Sequence, residues 1–311
     1  MTATVLVTPP GHDPSADLLA DLAGVSGRRR LKNAVMTALM GASVAVIAVV
    51  LVLVLITVVG KGWSIVSGQF PKWFTKDIQL SPRRAGPGMK AAIVGTVVVT
   101  ATATLIAVPL GIAGAVYLNE YGKRNLFARV LRFFTSVMAG VPSIVMGLFI
   151  YVFWVVPRGV DGLNGFSGAL ALACLMLPIV VRSTEEMLKL VPQNLRDASY
   201  ALGANSSRTT LTVVIPKAAP GIISGALLAI ARAAGETAPL IFTIGAAKRT
   251  NWNVLNGTNT SLSLQIYANA KESFVNAQER AWGAALTLIA LAVLFTIAAR
   301  VLSARITRSS S

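Results

Sequence analysis

Arg232 and Glu236 are the residues whose type and placement most demand a chemical explanation. They stand four apart within 218–247, a stretch with no other charged residue. On a helix that spacing puts both side chains on one face, about one turn from each other. A charge at the centre of a bilayer costs about 2.5–3.5 kcal/mol on insertion scales, so this pair, if unpartnered, would cost roughly 5–7 kcal/mol. Two arrangements relieve that cost. The pair neutralises itself in the interior of a helix bundle, or Arg232 faces a solute path, where its planar guanidinium matches two oxygens of an anion at once. Ionisable residues within membrane segments mark pathways by default, which favours the second arrangement.

A second constellation lies in the polar stretch 182–217. Asp197-Ala198-Ser199-Tyr200-Ala201-Leu202-Gly203 is followed, after nine residues, by Val213-Val214-Ile215-Pro216. Leu195, Ala198, Tyr200 to Leu202 and Gly203 read as a short helix offering small residues to a docking groove. Gly203 suits a left-handed helix terminus, and Pro216 is expected to start a new element, where its missing amide costs nothing. No nucleotide-binding loop of the form G-x-x-x-x-G-K-[ST] accompanies it. Gly60-Lys61 and Gly122-Lys123 carry Leu55 and Tyr117 where the first glycine belongs. No nucleophile, base and orienting group form a set, so an enzyme is not expected. Cys174, within an apolar run, and His12 are the single cysteine and histidine, which leaves no disulfide and no metal set; no cofactor is expected.

The elements that must position these residues are membrane helices. The 311 residues are 54% apolar and only 13% charged, with a mean hydropathy of +0.68, whereas a soluble domain carries about 25% charged residues. Uncharged apolar runs cover 34–60, 91–119, 133–157, 162–181 and 281–299, each near or above the roughly 20 residues that span hydrocarbon. The stretch 218–247 makes a sixth span. Lipid forbids unpaired backbone and no barrel alternation is present, so the fold class is all-α, a polytopic protein of six transmembrane helices. The first run is too long for a signal-peptide core and is expected to remain as an anchor. Residues 1–33 read as a mobile tail, and 304–311 as a second, short tail. Pro109, Pro142, Pro178 and Pro239 are expected to kink their helices. Gly221 and Gly225 permit close approach of a neighbouring backbone.

The net charge of +16 fits this organisation better than it fits nucleic acid, because the basic residues flank spans instead of forming one aromatic-laced face. With the N-terminus in the cytosol, 16 of the 28 lysines and arginines fall inside. Arg28, Arg29, Arg30 and Lys32, and then Lys123, Arg124, Arg129 and Arg132, are among them, so both termini are expected to face the cytosol. The outer loop 61–90 holds Trp63, Phe70, Trp73 and Phe74 among lysines, a composition suited to the headgroup layer. The outer loop 248–280 contains Asn256-Gly257 and a short helical stretch near Leu262 to Phe274.

The spacing of Asp197, Ala198, Ser199, Gly203 and Pro216 resembles the EAA loop of ABC importer permeases, whose pattern is Glu-Ala-Ala, three residues, Gly, nine residues, Ile-x-Leu-Pro. Asp197, Ser199, Val213 and Ile215 are conservative departures from it. Arg232-Ala233-Ala234-Gly235-Glu236-Thr237-Ala238-Pro239-Leu240 resembles the signature of phosphate-importer permeases of the PstA type. Tyr117 to Tyr121, Leu177-Pro178 with Arg182 to Glu186, and Ser263 to Tyr267 also match, so that the likeness covers roughly 90–300. It implies a type I ABC importer permease fold over 91–303, with a cytosolic coupling helix. It further implies a non-catalytic subunit of the plasma (inner) membrane that carries inorganic phosphate into the cytosol. The implied partners are a PstC-like second permease, a dimer of PstB-like ATPase subunits and a PstS-like external phosphate-binding protein. Arg232 and Glu236, with Gly235 and Thr237, are the implied substrate-path residues. A permease for another oxyanion, molybdate or sulfate, is the nearest competing reading. A secondary transporter would leave the coupling segment unexplained and should show inverted repeats, of which no convincing example is found.

Overall fold

The computed structural model of the chain describes residues 27–122 and 125–309. The expectations for residues 1–26, including most of the N-terminal tail, and for Lys123 and Arg124 therefore lie outside the described residues. The described elements are all helical. They are α1 (Gly27–Gly68), α2 (Lys72–Thr75), α3 (Lys90–Val116), α4 (Leu126–Gly140), α5 (Ser143–Ile150) and α6 (Gly165–Lys189), then α7 (Gln193–Ala201), α8 (Ser206–Thr209), α9 (Ile215–Gly235), α10 (Ala238–Thr243), α11 (Leu262–Ala270) and α12 (Val275–Ser309). Six stretches are long and apolar enough to cross a membrane: 28–68, 90–121, 143–162, 165–189, 206–235 and 275–298. The chain divides into two units after Thr57, the first being the described part of α1 up to that residue and the second Val58–Ser311.

The core of the second unit is made of small side chains. Val99, Ala103 and Ala107 of α3 pack with Ala169, Leu172, Ala173, Met176 and Val180 of α6, and with Ala229 and Ala233 of α9. Lipid tails are as apolar as leucine, so no hydrophobic force draws helices together in a bilayer; close van der Waals packing has to do it, and alanine and glycine allow the approach. Gly111 lies so near Val180, and Gly95 so near the Thr260 carbonyl, that a Cβ on either would collide. Gly221 and Gly225 serve the same purpose against α6, opposite Met187 and Ser183 respectively. That pairing fixes α6 and α9 as antiparallel neighbours in a known register.

Prolines decide where the helices stop. Pro109, Pro178 and Pro220 are carried inside α3, α6 and α9, but Pro142 divides what the sequence presents as one apolar run over 133–157. The residue before a proline is pushed out of the helical region, and Val141 is extended at φ −74, ψ 131. Consequently α4 is a separate helix, with Phe133 and Phe134 exposed on it. The membrane-crossing piece begins at Ser143 and continues through a π-turn (Tyr151–Val155) and a 3₁₀ segment (Val156–Gly162).

The loops expected to lie outside are tied together. The Ile78 amide donates to the Lys248 carbonyl at 3.0 Å, and the Lys248 ammonium to the Leu80 carbonyl at 2.6 Å. Asp77 accepts from the amide and hydroxyl of Thr250. Trp73, grouped above with residues of the headgroup layer, is instead fully buried. Its ring lies against Gly283 and its Nε1 donates to Thr287 Oγ1 at 2.9 Å, so an indole that composition places at an interface is spent on packing α2 against α12. Trp73→Ala is expected to destabilise the folded chain by about 3–5 kcal/mol. Thr287→Val should cost about 1–3 kcal/mol by leaving the indole N–H without a partner; detergent-solubilised thermal unfolding checks both.

Candidate functional site

The site is built around a break in a helix. Ser206–Gly235 runs as one rod of α8, a π-turn (Thr210–Val214) and α9. Pro239 has no N–H to give the Gly235 carbonyl, and its ring would strike that carbonyl if the helix continued. The chain leaves the helix at Glu236, which is extended at φ −71, ψ 133, and re-enters at Ala238. The stretch 218–247 is therefore the upper part of a longer rod, a break, and the short helix α10. Ser263 Oγ, on α11, donates to the Glu236 carbonyl at 2.8 Å and satisfies a backbone group that the break exposes.

Arg232 occupies the last turn of α9 and Glu236 the first position beyond it. Their side chains approach to 3.5 Å, Nε to Oε1, with Arg232 63% and Glu236 19% exposed. The C-terminal end of a helix carries partial negative charge, so it favours the guanidinium placed there. Arg232 lines a cavity of about 430 Å³ with Pro142 and Ser143 from the break after α4, and with Leu175, Pro178, Ile179, Arg182, Ser183 and Glu186 from α6. Gly235 ends α9 with open space where a Cβ would stand, and Thr237 precedes α10 without capping it through its side chain. Of the four residues named from the signature, the structure brings Arg232 and Glu236 together and gives Gly235 and Thr237 no polar side-chain partner.

The segment 182–217 divides into three parts. Its beginning belongs to α6, its middle is the short helix α7, and its end is the start of the rod. Asp197 and Ala198 are exposed on α7 and Ser199 is half-buried. Asp197 Oδ1 accepts from Gln193 Nε2 at 3.1 Å. Gly203 stands at φ +84 just after the helix, a left-handed conformation that glycine adopts without a Cβ penalty. Leu202, between the helix and Gly203, is 89% exposed, which leaves the helix tip open. Pro216 stands in the first turn of α9, where its missing amide costs nothing, and α9 follows the π-turn without a gap in the chain.

Side chains that the sequence analysis did not single out hold α7 in place. Arg196, 7% exposed, donates to Glu120 Oε2 at 2.5 Å and to the Leu188 carbonyl at 3.0 Å. Glu120 lies in a π-turn (Tyr117–Tyr121) at the end of α3, and its other oxygen accepts from Asn119 Nδ2 at 2.7 Å. Ser199 Oγ and Thr209 Oγ1 are 2.9 Å apart and tie α7 to α8. A second group joins α4 to α6. Glu185 meets Arg132 at 3.1 Å and Lys189 at 2.9 Å, and Arg132 also donates to the Leu118 carbonyl at 2.8 Å. Arg196 precedes the Asp197 motif directly, and Glu120 and Glu185 both sit in stretches that resemble the family. Arg196 and Glu120 are 76 positions apart and Arg132 and Glu185 are 53 apart, so no local spacing links them; only Lys189 stands one turn from Glu185. Among the described residues no group of three histidine, cysteine or acidic side chains is arranged to hold a metal ion.

Comparison with known proteins agrees with this architecture. A family model described as "binding-protein-dependent transport system inner membrane component" matches residues 107–308. The phosphate transport system permease protein PstA 1 of Mycobacterium tuberculosis is 43% identical over 273 residues, covering 88% of each chain. PstA of Mycobacterium leprae is 44% identical over 285 residues, covering 90% of this chain and 92% of the relative. PstA of Yersinia pestis is 38% identical over 278 residues, covering 89% and 92%. Among solved structures, a chain of the inward-facing MetNI methionine ABC transporter aligns with a TM-score of 0.51 at 20% identity, covering 70% of this chain and 91% of that one. A chain of an amino acid ABC transporter aligns with a TM-score of 0.51 at 17% identity, covering 69% and 92%. These last two bear on the fold alone, which is that of an ABC importer permease. The chain is a multi-pass membrane protein that belongs to the family of binding-protein-dependent transport system inner membrane components, on the branch of its PstA relatives.

Proposed function

We propose that this chain is the transmembrane permease subunit of an ATP-driven importer that carries inorganic phosphate into the cytosol. The observation that carries the reading is Arg232, held at a helix break beside an open cavity, in a chain 38–44% identical to phosphate permeases. Arg232 offers paired donors to a tetrahedral oxyanion. Glu236 holds the guanidinium between cycles and yields when the anion arrives. Gly235 and Thr237 form the backbone turn between α9 and α10 and shape the path without binding through their side chains.

The chain catalyses no reaction itself; hydrolysis of ATP belongs to a separate dimer of PstB-like subunits. A PstC-like permease completes the path across the bilayer, and a PstS-like protein delivers phosphate from outside. Both termini face the cytosol, which puts α7 on the side of the ATPase. Asp197, Ala198, Ser199 and Gly203 form the docking element, and Pro216 marks the joint of the rod above it. The rod from Ser206 to Arg232 is about 39 Å long at 1.5 Å per residue, so a displacement of α7 is transmitted along a helix to the break. Closure of the ATPase pair then turns the cavity at Arg232 outward, and its reopening returns the cavity to the cytosol.

Arg232→Gln is expected to abolish uptake of labelled phosphate in cells lacking the native chain while the assembled complex is recovered in normal amount. Normal uptake by a well-expressed variant would remove Arg232 from the path. Arg196→Ala strands Glu120 as a buried, uncompensated charge and is expected to cost about 3–5 kcal/mol locally. Protease cleavage within 190–205 should accelerate, and ATP hydrolysis should continue with little phosphate moved. Unchanged cleavage and coupling would show that the Arg196–Glu120 pair does not brace the docking helix.

A further inference from the structure

Arg232 does not line its cavity alone. The second arginine there is Arg182, on α6, which also lines the adjoining cavity of about 570 Å³ together with Pro178, Glu186, Arg132, Glu185 and Lys189. The two cavities share Pro178, Arg182 and Glu186 and therefore adjoin at Arg182, with Arg232 on the one side and Lys189, near the end of α6, on the other.

The register of α6 and α9 gives the spacing. Gly225 faces Ser183 and Gly221 faces Met187, which sets Arg232 level with Met176. Both residues line one small pocket, in agreement with that register. Arg182 is six residues further along α6, about 9 Å nearer the docking helix at 1.5 Å per residue. That backbone offset is short enough for an anion to pass from one arginine to the other.

The quality of the ion pairs separates the roles. Arg182 and Glu186 are 3.6 Å apart and four residues apart in sequence, and both side chains are well exposed to the cavity. The pair has the same loose geometry as Arg232 and Glu236 at 3.5 Å, and neither approach is a hydrogen bond by distance and angle. Arg196 to Glu120 at 2.5 Å, and Arg132 and Lys189 to Glu185 at 3.1 and 2.9 Å, are tight by comparison, and the first is buried. A loose pair exchanges its carboxylate for an incoming anion at little cost, whereas breaking a buried pair leaves a charge stranded. Arg132 and Lys189, already committed to Glu185, frame the route without offering a free guanidinium of this kind.

We propose that Arg182 is a second oxyanion-binding residue of this chain, which takes phosphate from Arg232 on its way to the cytosol, with Glu186 displacing it for release. The proposal rests on the phosphate-permease reading given above. The repeated device, an arginine with a glutamate one turn further along, gives two weak stations in sequence in place of one strong site, which an importer must avoid if cargo is to leave.

The test uses the complete transporter reconstituted in proteoliposomes. Arg182→Gln should lower maximal phosphate uptake roughly tenfold or more, the scale of a lost charge-assisted hydrogen bond. The phosphate concentration for half-maximal uptake should stay unchanged, and Arg182→Lys should retain most of the rate. Occupancy is read separately with Ser183→Cys in a Cys174→Ala chain, labelled from the cytosolic side by the anionic thiol reagent sulfonatoethyl methanethiosulfonate. Inorganic phosphate should slow that labelling, and Arg182→Gln should remove the protection. If Arg182→Gln does not assemble, Glu186→Gln serves instead and should shift protection to lower phosphate concentrations. Normal uptake with Arg182→Gln, phosphate protection that survives it, or protection unaltered by Glu186→Gln would overturn the proposal. Loss of uptake with Arg232→Gln but not with Arg182→Gln removes only the second station. Normal uptake with both removes the phosphate path itself.

Discussion

A proline inside a membrane helix takes away one backbone hydrogen bond and ends or bends the helix, and Pro239 does so at Gly235. The rest of the site follows from how the chain answers it. The helix ends, Glu236 turns extended, and the Ser263 hydroxyl on α11 satisfies the Glu236 carbonyl. Arg232 is thereby left in the final turn of α9, where the helix dipole favours its charge. Pro142 makes a matching break between α4 and α5, and Val141, Pro142 and Ser143 of that break line the cavity together with Arg232. Irregular backbone within a membrane is tolerated where it borders a cavity or is buried in protein, and here it does the former.

A continuous rod that begins at Ser206, just after the short helix α7, leads to that cavity. The short helix α7 is clamped to the end of α3 by Arg196 and Glu120 and to α8 by Ser199 and Thr209. From α8 onward the helix continues, through a π-turn below Pro216, to the break above Arg232. The rod carries a π-turn and Pro220, features at which helices bend, and the contacts of Gly221 and Gly225 with α6 hold its register.

The spans and the charged pair are legible in the sequence because both rest on local rules. Apolar length marks a span, and a spacing of four places Arg232 beside Glu236. Gly203 is legible for the same reason, as a glycine after a short amphipathic stretch. What is not legible depends on distant partners or on competing backbone demands. Pro142 reads as a kink yet ends a helix, because Val141 takes the extended conformation that a following proline favours, whereas Pro109 and Pro178 are carried inside their helices. Pro216 reads as a helix start and does stand in the first turn of α9, but the π-turn that joins α9 to α8 in one rod has no mark in the sequence. Trp73 has the composition of an interfacial residue, and only the approach of Gly283 and Thr287, more than 200 positions away, makes it a core residue. Arg196 and Glu120 are 76 positions apart, so nothing in either neighbourhood announces the pair.

Uptake of labelled phosphate by proteoliposomes holding the four-component complex tests most directly whether ATP hydrolysis by a partner subunit drives phosphate past Arg232, as proposed. Uptake is expected only when ATP and the external binding protein are both present, with hydrolysis-deficient ATPase subunits reducing it to background. Phosphate accumulation that persists without ATP hydrolysis would rule out an ATP-driven importer and make the chain part of a secondary carrier.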